Sequence, residues 1–384
     1  MANVTTFRKT TDLATNRMDV PFDKKIALLQ PSVAPITRLT RMLKVKPVDD
    51  PLFKWNEDDL VAKSTTATTA DSAASTAIPV TDATIYRYND IVKVPTTGEV
   101  MLVTTDGSGT TLSVSRSLGS TPADSIANGA ELWTVGNLNQ EGAGLRTLLS
   151  TQATEKRQNT QILRTPFGTS NTTKAAKMVD EPDFAYQMKK AGIQHARDIE
   201  FSTLFGEGYN STTGIRGMYG ILETISTNVT SLASPGYLTE TVFEDWLRDV
   251  FRYGSQTRYV FASSLVMSII SGFAKSKLQI NSVDQKKYGM AITDYLTPQG
   301  RVKLIEHKEL EGDYNGCCIG LDFGSNNEGI NSAIYWRPLR TRDTKLLTNR
   351  QDPDEDRTVH EYLTEGAIQL KEEKRHGILK GILA

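Results

Sequence analysis

The first 48 residues constrain this chain more than any other stretch, because they cannot build a core of their own. Arg8, Lys9, Arg17, Lys24, Lys25, Arg38, Arg41, Lys44 and Lys46 stand against Asp12, Asp19 and Asp23 alone. Pro21, Pro31, Pro35 and Pro47 cut the segment into short pieces, each proline fixing φ and removing a backbone donor. Ile36, Leu39 and Leu43 fall at helical spacing, which predicts one or two amphipathic turns after Ser32. With so little apolar surface to bury, the segment needs another surface, on this subunit or on a neighbour. Its basic side chains leave two readings open. One is plain solvation; the other is contact with acidic partners, including a nucleic acid whose neutralised phosphates release counterions.

The remaining chain has room for two or three packed units among its 384 residues. Residues 51–60, PLFKWNEDDL, set Phe53 and Trp55 two apart, as a half-buried strand does. Residues 62–77 are rich in Ser, Thr, Ala and Asp without an apolar period, and read as a linker. Residues 78–135 read as a separate β-rich unit. Val100 to Thr105 alternate, Asp106-Gly107-Ser108-Gly109 turns, and Leu112 and Val114 alternate on the return, a hairpin signature. Short strands are expected at 85–94 and 131–135.

A long helix is expected from Asp183 to Phe205, opened by Pro182 and the acidic Asp180, Glu181 and Asp183. Phe184, Met188, Ala191, His195 and Ile199 step along one face, with Lys189, Arg197 and Glu200 largely elsewhere. Thr241 and Glu244 have capping-box spacing ahead of Phe243, Trp246, Leu247, Val250 and Phe251. Ser263 or Ser264 opens a further helix. Strands are expected near 259–262, 289–296, 301–307, 316–322, 333–338, 344–348, 358–363 and 366–373, with a turn at Thr297–Gly300. The fold class is α+β, mostly antiparallel.

Catalytic spacings are missing. The sequence has no G-x-S-x-G, H-E-x-x-H, G-x-x-x-x-G-K-[ST] or strand-borne G-x-G-x-x-G. Cys317 and Cys318 are adjacent, so a disulfide between them is strained, and they read as buried core or interface residues. His195 reads as a buried or interface histidine with one hydrogen bond. Asp352 to Asp356 begins like a calcium loop, but Arg357 holds the glycine position and Leu363 the twelfth. It reads as a solvated acidic loop. No metal, cofactor or enzymatic activity is expected. Formal net charge is −1, so no global charge points to a membrane or nucleic acid. No apolar run approaches the roughly 18–20 residues that span a bilayer, and MANVTTFRKTTDLATNR lacks the apolar heart of a signal peptide. A cytosolic product is the expectation.

The order of these blocks resembles the major capsid proteins of tailed bacteriophages with the Hong Kong 97-type fold. It is most similar to the branch with a β-rich insertion in the extended loop. FKWNEDDL (53–60) resembles the arm-to-loop strand. YNDIVKVPTTGEVMLVT (88–104), LSVSRSLGST (112–121) and IANGAELWTVGNLNQEGAG (126–144) resemble the insertion. NTQILRTPFGTS (159–170) and FAYQMKKAGIQHARDIEFSTLFGE (184–207) resemble the returning strand and spine helix, and GIRGMYGI (214–221) and VHEYLTEGAIQLKEEKRHGILKGI (359–382) also fit.

The resemblance implies an arm at 1–48, an extended loop at 49–76 and 137–178, and an inserted barrel or sandwich at 77–136. It implies a peripheral domain at 179–235 and 346–384 with a spine helix at 183–205, and an axial domain at 236–345. It implies a structural subunit of an icosahedral shell in the virion, assembled in the host bacterial cytoplasm. Its partners are other copies of itself in pentamers and hexamers, and packaged double-stranded DNA on the inner surface. Portal, scaffolding, maturation protease and decoration proteins are further candidates; a membrane is not. Arg38, Arg41, Lys44, Phe53 and Trp55 are the candidates for an intersubunit or inner surface. No residue pattern for a lysine–asparagine crosslink is matched, and none is expected. The rival reading is another virion structural protein, of the tail tube or baseplate.

Overall fold

The structure, a computed structural model, describes residues 34–43, 45–176, 183–273, 278–279, 286–287, 290–324 and 332–383. Residues 1–33, Lys44 and the proposed opening of the long helix at Asp180, Glu181 and Pro182 lie outside the described residues. The chain divides into two compact units, one of residues 1–55 with 157–384 and one of Asn56–Lys156.

The smaller unit is a six-stranded sheet in the order Ser64–Thr66, Glu131–Asn137, Asp90–Lys93, Val100–Val103, Thr111–Ser115, Ala77–Pro79. The expected hairpin is present, with Leu102 opposite Ser115 and Val103 opposite Val114. Period-2 alternation sends Met101, Val103, Leu112 and Val114 inward, where they meet Ile78, Val80, Tyr86, Val92 and Leu132. The Tyr86 hydroxyl donates to the Leu132 carbonyl at 2.8 Å, so the ring enters this core with its polar end satisfied. Glu99 is buried with the Arg116 guanidinium against both of its oxygens. Burial pushes its carboxyl up, but Arg116 and the Asp124 N–H outweigh that and hold it below the usual range.

Two expectations for this unit need correction. Residues 62–77 are no linker: Ser64–Thr66 pairs with Glu131–Asn137, and the Ala67–Val80 and Asp71–Ile126 bridges extend the pairing. Ala67 and Thr65 are buried, side chains small enough that hydropathy does not mark them. The Ala67–Val80 bridge also joins the first strand of the sheet to the last. The strand expected at 85–94 is confined to Asp90–Lys93, because the chain turns at Ala83 to Tyr86.

The larger unit is built on an eight-stranded sheet. Its order is Val229–Tyr237, Gly377–Leu383, Cys318–Leu321, Thr257–Ala262, Gly300–Glu306, Met290–Thr297 and Leu278–Gln279, with Lys286–Lys287 also on Met290–Thr297. Both faces are covered. Val260, Ala262, Leu304 and Cys318 meet Phe243, Trp246, Leu247 and Val250 of the helix Glu240–Phe251. Phe261, Ile305, Cys317, Ile319 and Leu321 share a second core with Ile36, Leu39, Phe53 and Leu204. Two-sided burial explains why these strands read as near-continuous apolar runs. The adjacent cysteines fall into different cores, both unpaired, and burial pushes the Cys317 thiol up to about 11 and the Cys318 thiol higher than its usual range. A second sheet places Arg357–Leu370 between Ile334–Pro338 and Lys345–Leu347, with Gln161–Ser170 also paired to it. The helix Asp183–Phe205 has the expected bounds.

Most pairs are antiparallel, but Thr257–Ala262 with Gly300–Glu306 and Val229–Tyr237 with Gly377–Leu383 are parallel. The last two strands were not expected. The helix Glu240–Phe251 is capped by Thr239, which accepts from Val242 N, so Thr241 is inside the helix and the expected capping box does not form. The strands expected at 358–363 and 366–373 are one strand, Arg357–Leu370. Gly366 does not break it; a Cβ there would sit 2.8 Å from the Trp336 ring, so glycine admits that ring.

The helix Glu240–Phe251 ends in a buried ionic node. Arg258, fully buried, donates to the carbonyls of Val250 and Tyr253 and lies over the Phe251 ring at 5.0 Å, a cation at the negative end of a helix. Asp322 is 3.4 Å from Arg258 and 3.0 Å from Arg375, and accepts from Ser255 N and Oγ. Gly254, at φ +87°, passes so close that a Cβ would lie 2.3 Å from Asp322 Oδ2. Gly254→Ala therefore combines left-handed strain with displacement of a buried carboxylate. It is expected to destabilise the subunit by about 2–4 kcal/mol, read as a lowered urea midpoint; an unchanged midpoint would refute the close approach.

Candidate functional site

The arm helix Pro35–Leu43 is anchored by a residue far from it in sequence. Its first position holds proline, which suits the helix start. The residue before it, Ala34 at φ 58°, has no capping side chain. The cap comes from Glu200 on the long helix, whose carboxylate accepts from Ile36 N at 2.9 Å, Thr37 N at 2.8 Å and the Thr37 hydroxyl. His307 Nε2 reaches the same carboxylate at 2.8 Å. Glu200, Thr37 and His307 are all buried. A carboxylate at the positive end of a helix, with its lone pairs used, is an electrostatic lock. Glu200 was placed away from the apolar face; the structure overturns that, since Ile199, Thr203 and Leu204 beside it are buried too. That one-sided clustering was the available signal.

The other end of the arm is held by a different set. Arg41 lies over the Trp336 ring at 4.8 Å, donates to Thr344 Oγ1 at 2.9 Å and is 3.3 Å from Asp343. Residues 45–48 then run parallel to Ile334–Pro338, with Lys46 N donating to Trp336 O and Val48 N to Pro338 O. Over its described part the arm therefore uses its own subunit as the surface it needs. Of the candidate residues, Arg38 is exposed and Lys44 lies outside the described residues. Phe53 is in the core with Arg337 over its ring at 5.7 Å, and Trp55 is half-buried with ring centroids 6.0 Å apart. Phe53 and Trp55 thus share one core, Arg41 is held separately at Trp336, Thr344 and Asp343, and Arg38 is exposed.

The histidines are structural here. His195 makes two hydrogen bonds rather than the expected one, Nδ1 with Thr165 Oγ1 at 2.8 Å and Nε2 with Thr364 Oγ1 at 2.7 Å. Burial lowers its pKa. His376 Nδ1 accepts from Asp322 N at 3.1 Å, which leaves Nε2 to donate to Lys371 O at 3.3 Å, a neutral ring. Burial pushes its pKa well below 6.5. Asp352, Asp354 and Asp356 are exposed, and Glu355 is paired with Arg357 at 2.6 Å. Among the described residues no group of three or more His, Cys, Asp or Glu is arranged to hold a metal, and no helix is long and apolar enough to cross a membrane.

What the geometry offers, then, is tethers and surfaces. A model of the SU10 major capsid protein family matches residues 3–383. The chain belongs to that family. Solved structures agree on the fold. The chain is 10% identical to a protein of the capsid of a native GTA particle, with a TM-score of 0.52 over 96% of this chain and 97% of that one. It is also 10% identical to a chain of Mycobacterium phage Ogopogo, with a TM-score of 0.51 over 96% and 99%. No curated protein matches it. This major capsid protein is a structural component of a phage virion, with the mixed α/β architecture of Hong Kong 97-type capsid structures.

Two predictions follow from the buried ties of this capsid protein. Glu200→Gln turns an amide N–H2 toward the donors of Ile36 and Thr37, and should cost about 2–4 kcal/mol. Hydrogen exchange should then quicken at the amides of the arm helix; unchanged protection would deny Glu200 its anchoring role. The pH dependence has a defined sign. At and above about pH 7, His376 is neutral folded or unfolded. Below its ordinary value of 6.5 the unfolded chain takes up a proton that the folded ring refuses. Stability should fall with pH by up to ~1.4 kcal/mol per unit. For Asp322 burial raises the pKa, but Arg258 and Ser255 outweigh it, so its contribution is lost only as pH drops below about 3.8. His376→Gln should flatten the urea midpoint between about pH 6.5 and pH 4; an undiminished slope would assign the effect elsewhere.

Proposed function

We propose that this subunit assembles with copies of itself, as pentamers and hexamers, into a closed icosahedral shell around double-stranded DNA. The observation that carries this reading is the family match across residues 3–383. In this reading Asp183–Phe205 is the spine helix of a peripheral domain at 179–235 and 346–384, and the eight-stranded sheet forms most of an axial domain at 236–345. The extended loop takes 49–76 and 137–178. The six-stranded sheet, whose end strands meet at Ala67 and Val80, is its inserted barrel, and its compact unit is wider than 77–136. Assembly takes place in the host cytoplasm. Portal, scaffolding, protease and decoration proteins are candidate further partners, and DNA lies against the inner surface. The chain performs no catalysis. Shell contacts are individually small and add up through closure and repetition.

Negative-stain imaging of the purified chain tests this directly: closed shells are expected, and tubes or rings would favour a tail component. The basic residues of the arm divide by role. Arg38→Glu should impair shell formation or DNA packaging. Arg41→Glu removes contacts to Trp336, Asp343 and Thr344 and should lower subunit stability itself. Unimpaired shells and packaging with Arg38→Glu would remove Arg38 from the proposed surface.

A further inference from the structure

The smaller unit has a cavity of about 240 Å³ at one end of its six-stranded sheet. Its walls come from Val61 to Lys63, from Ile85, Arg87 and Asp90 where the strand Asp90–Lys93 begins, and from Thr134 to Asn137 where Glu131–Asn137 ends. Arg146, Thr147 and Leu149 complete them. A bulge opens the sheet at this point. Ile91 pairs with Gly136 and Val92 with Thr134, so Val135 is the extra residue, and it is 64% exposed.

The polar part of the wall is cationic. Asp90 is buried, and each of its oxygens accepts a hydrogen bond at 2.7 Å, Oδ2 from Arg87 N and Oδ1 from Arg146 Nη2. Arg87 Nη1 donates to the carbonyls of Thr84 at 2.6 Å and Tyr86 at 2.9 Å. These bonds fix both guanidinium groups, yet among the described residues Arg87 Nη2 and Arg146 Nη1 donate to no protein atom. Lys63 is an exposed third cation on the wall. Asp106 interacts with both arginines and accepts from Tyr88 N and Thr147 Oγ1, each at 2.8 Å. Three cations thus stand against two carboxylates that already have donors.

We propose that this cavity binds a small organic carboxylate, its head on Arg87 Nη2 and Arg146 Nη1 and a short apolar body on Val61, Ile85, Val135 and Leu149. One positive charge in excess suits a monoanion; the second charge of a phosphate would meet Asp90 and Asp106 instead. The planar guanidinium fork matches a carboxylate, and its position is set before the ligand arrives, so little ordering opposes binding. Apolar walls with a few fixed polar groups are the usual make-up of a small-molecule site. A ligand held there touches both Val61 to Lys63 and Arg146 to Leu149, and so stabilises the smaller unit by mass action. A free small acid and the C-terminal carboxylate of a polypeptide share this chemistry. The inference uses nothing from the shell reading and stands apart from it.

Saturation-transfer NMR on the full chain reads such binding whether or not the subunits are assembled. The probes are isocaproate and its neutral counterpart isocaproamide. The acid should receive saturation and the amide should bind about tenfold more weakly, the difference that one charge-assisted pair makes. Arg87→Gln combined with Arg146→Gln should abolish the preference for acid over amide. Val135→Asp places a carboxylate on the wall from a side chain already in water, and should weaken the acid about tenfold; it decides the matter if the glutamines disturb folding. N-acetylglycylleucine separates the two sources: binding tighter than isocaproate assigns the site to a polypeptide C-terminus, and equal or weaker binding to a free acid. No transfer to isocaproate, equal transfer to acid and amide, or undiminished binding by Val135→Asp would overturn the proposal.

Discussion

The Glu200 carboxylate is the point at which three otherwise separate parts of the larger unit are tied. It belongs to the long helix, it caps the arm helix through Ile36 and Thr37, and it receives His307, which follows the strand Gly300–Glu306. Taking a carboxylate out of water is unfavourable unless its lone pairs are used. Here two backbone donors, a hydroxyl and an imidazole use them. That saturation allows the short helix Pro35–Leu43 to lie in a fixed place. Ile36 and Leu39 then enter the same core as Phe53, Leu204 and Phe261. The helix dipole and the apolar stripe act together, and neither suffices for so short a helix.

Elsewhere in the unit the same device recurs with the charges reversed. Arg258 closes the negative end of Glu240–Phe251 as Glu200 closes the positive end of the arm helix. Asp322 holds Arg258 and Arg375 in place, and His376 stays neutral among them. Between these two nodes the eight-stranded sheet is buried on both faces. The polar interior of this unit thus includes two charged networks at helix ends, and its apolar interior consists of strands covered from either side. Such a body is suited to a subunit whose role is to hold shape. In the smaller unit Leu60, Leu145 and Leu148 stay exposed.

The fold was largely legible where a period was long or a turn was chemically marked. The long helix, the stripe of Phe243 to Val250, the Ser263 cap and the 100–115 hairpin all follow from local pattern. Reading failed where local signal was weak or balanced. Ser64–Thr66 contains no apolar residue, yet Thr65 is buried and the strand pairs with Glu131–Asn137. Gly366 resembles a break but serves the packing of Trp336. Among the candidate surface residues, Arg41 and Phe53 also make contacts within their own chain, since charge and rings both suit intramolecular anchoring.

By itself the sequence determined the class of the fold, the dependence of the arm on a surface not its own, the apolar fate of Cys317 and Cys318, and the likeness to shell proteins. Those properties depend on composition and on short-range period, which a linear chain carries in full. Tertiary structure alone decided which carboxylate caps the arm, which strands run parallel, and which leucines stay in water. Glu200 and Ile36 are 164 residues apart, and no local preference encodes a partner at that distance. Such contacts are chosen by the packing of the whole unit, where a buried charge must find its donors and an exposed leucine is left over.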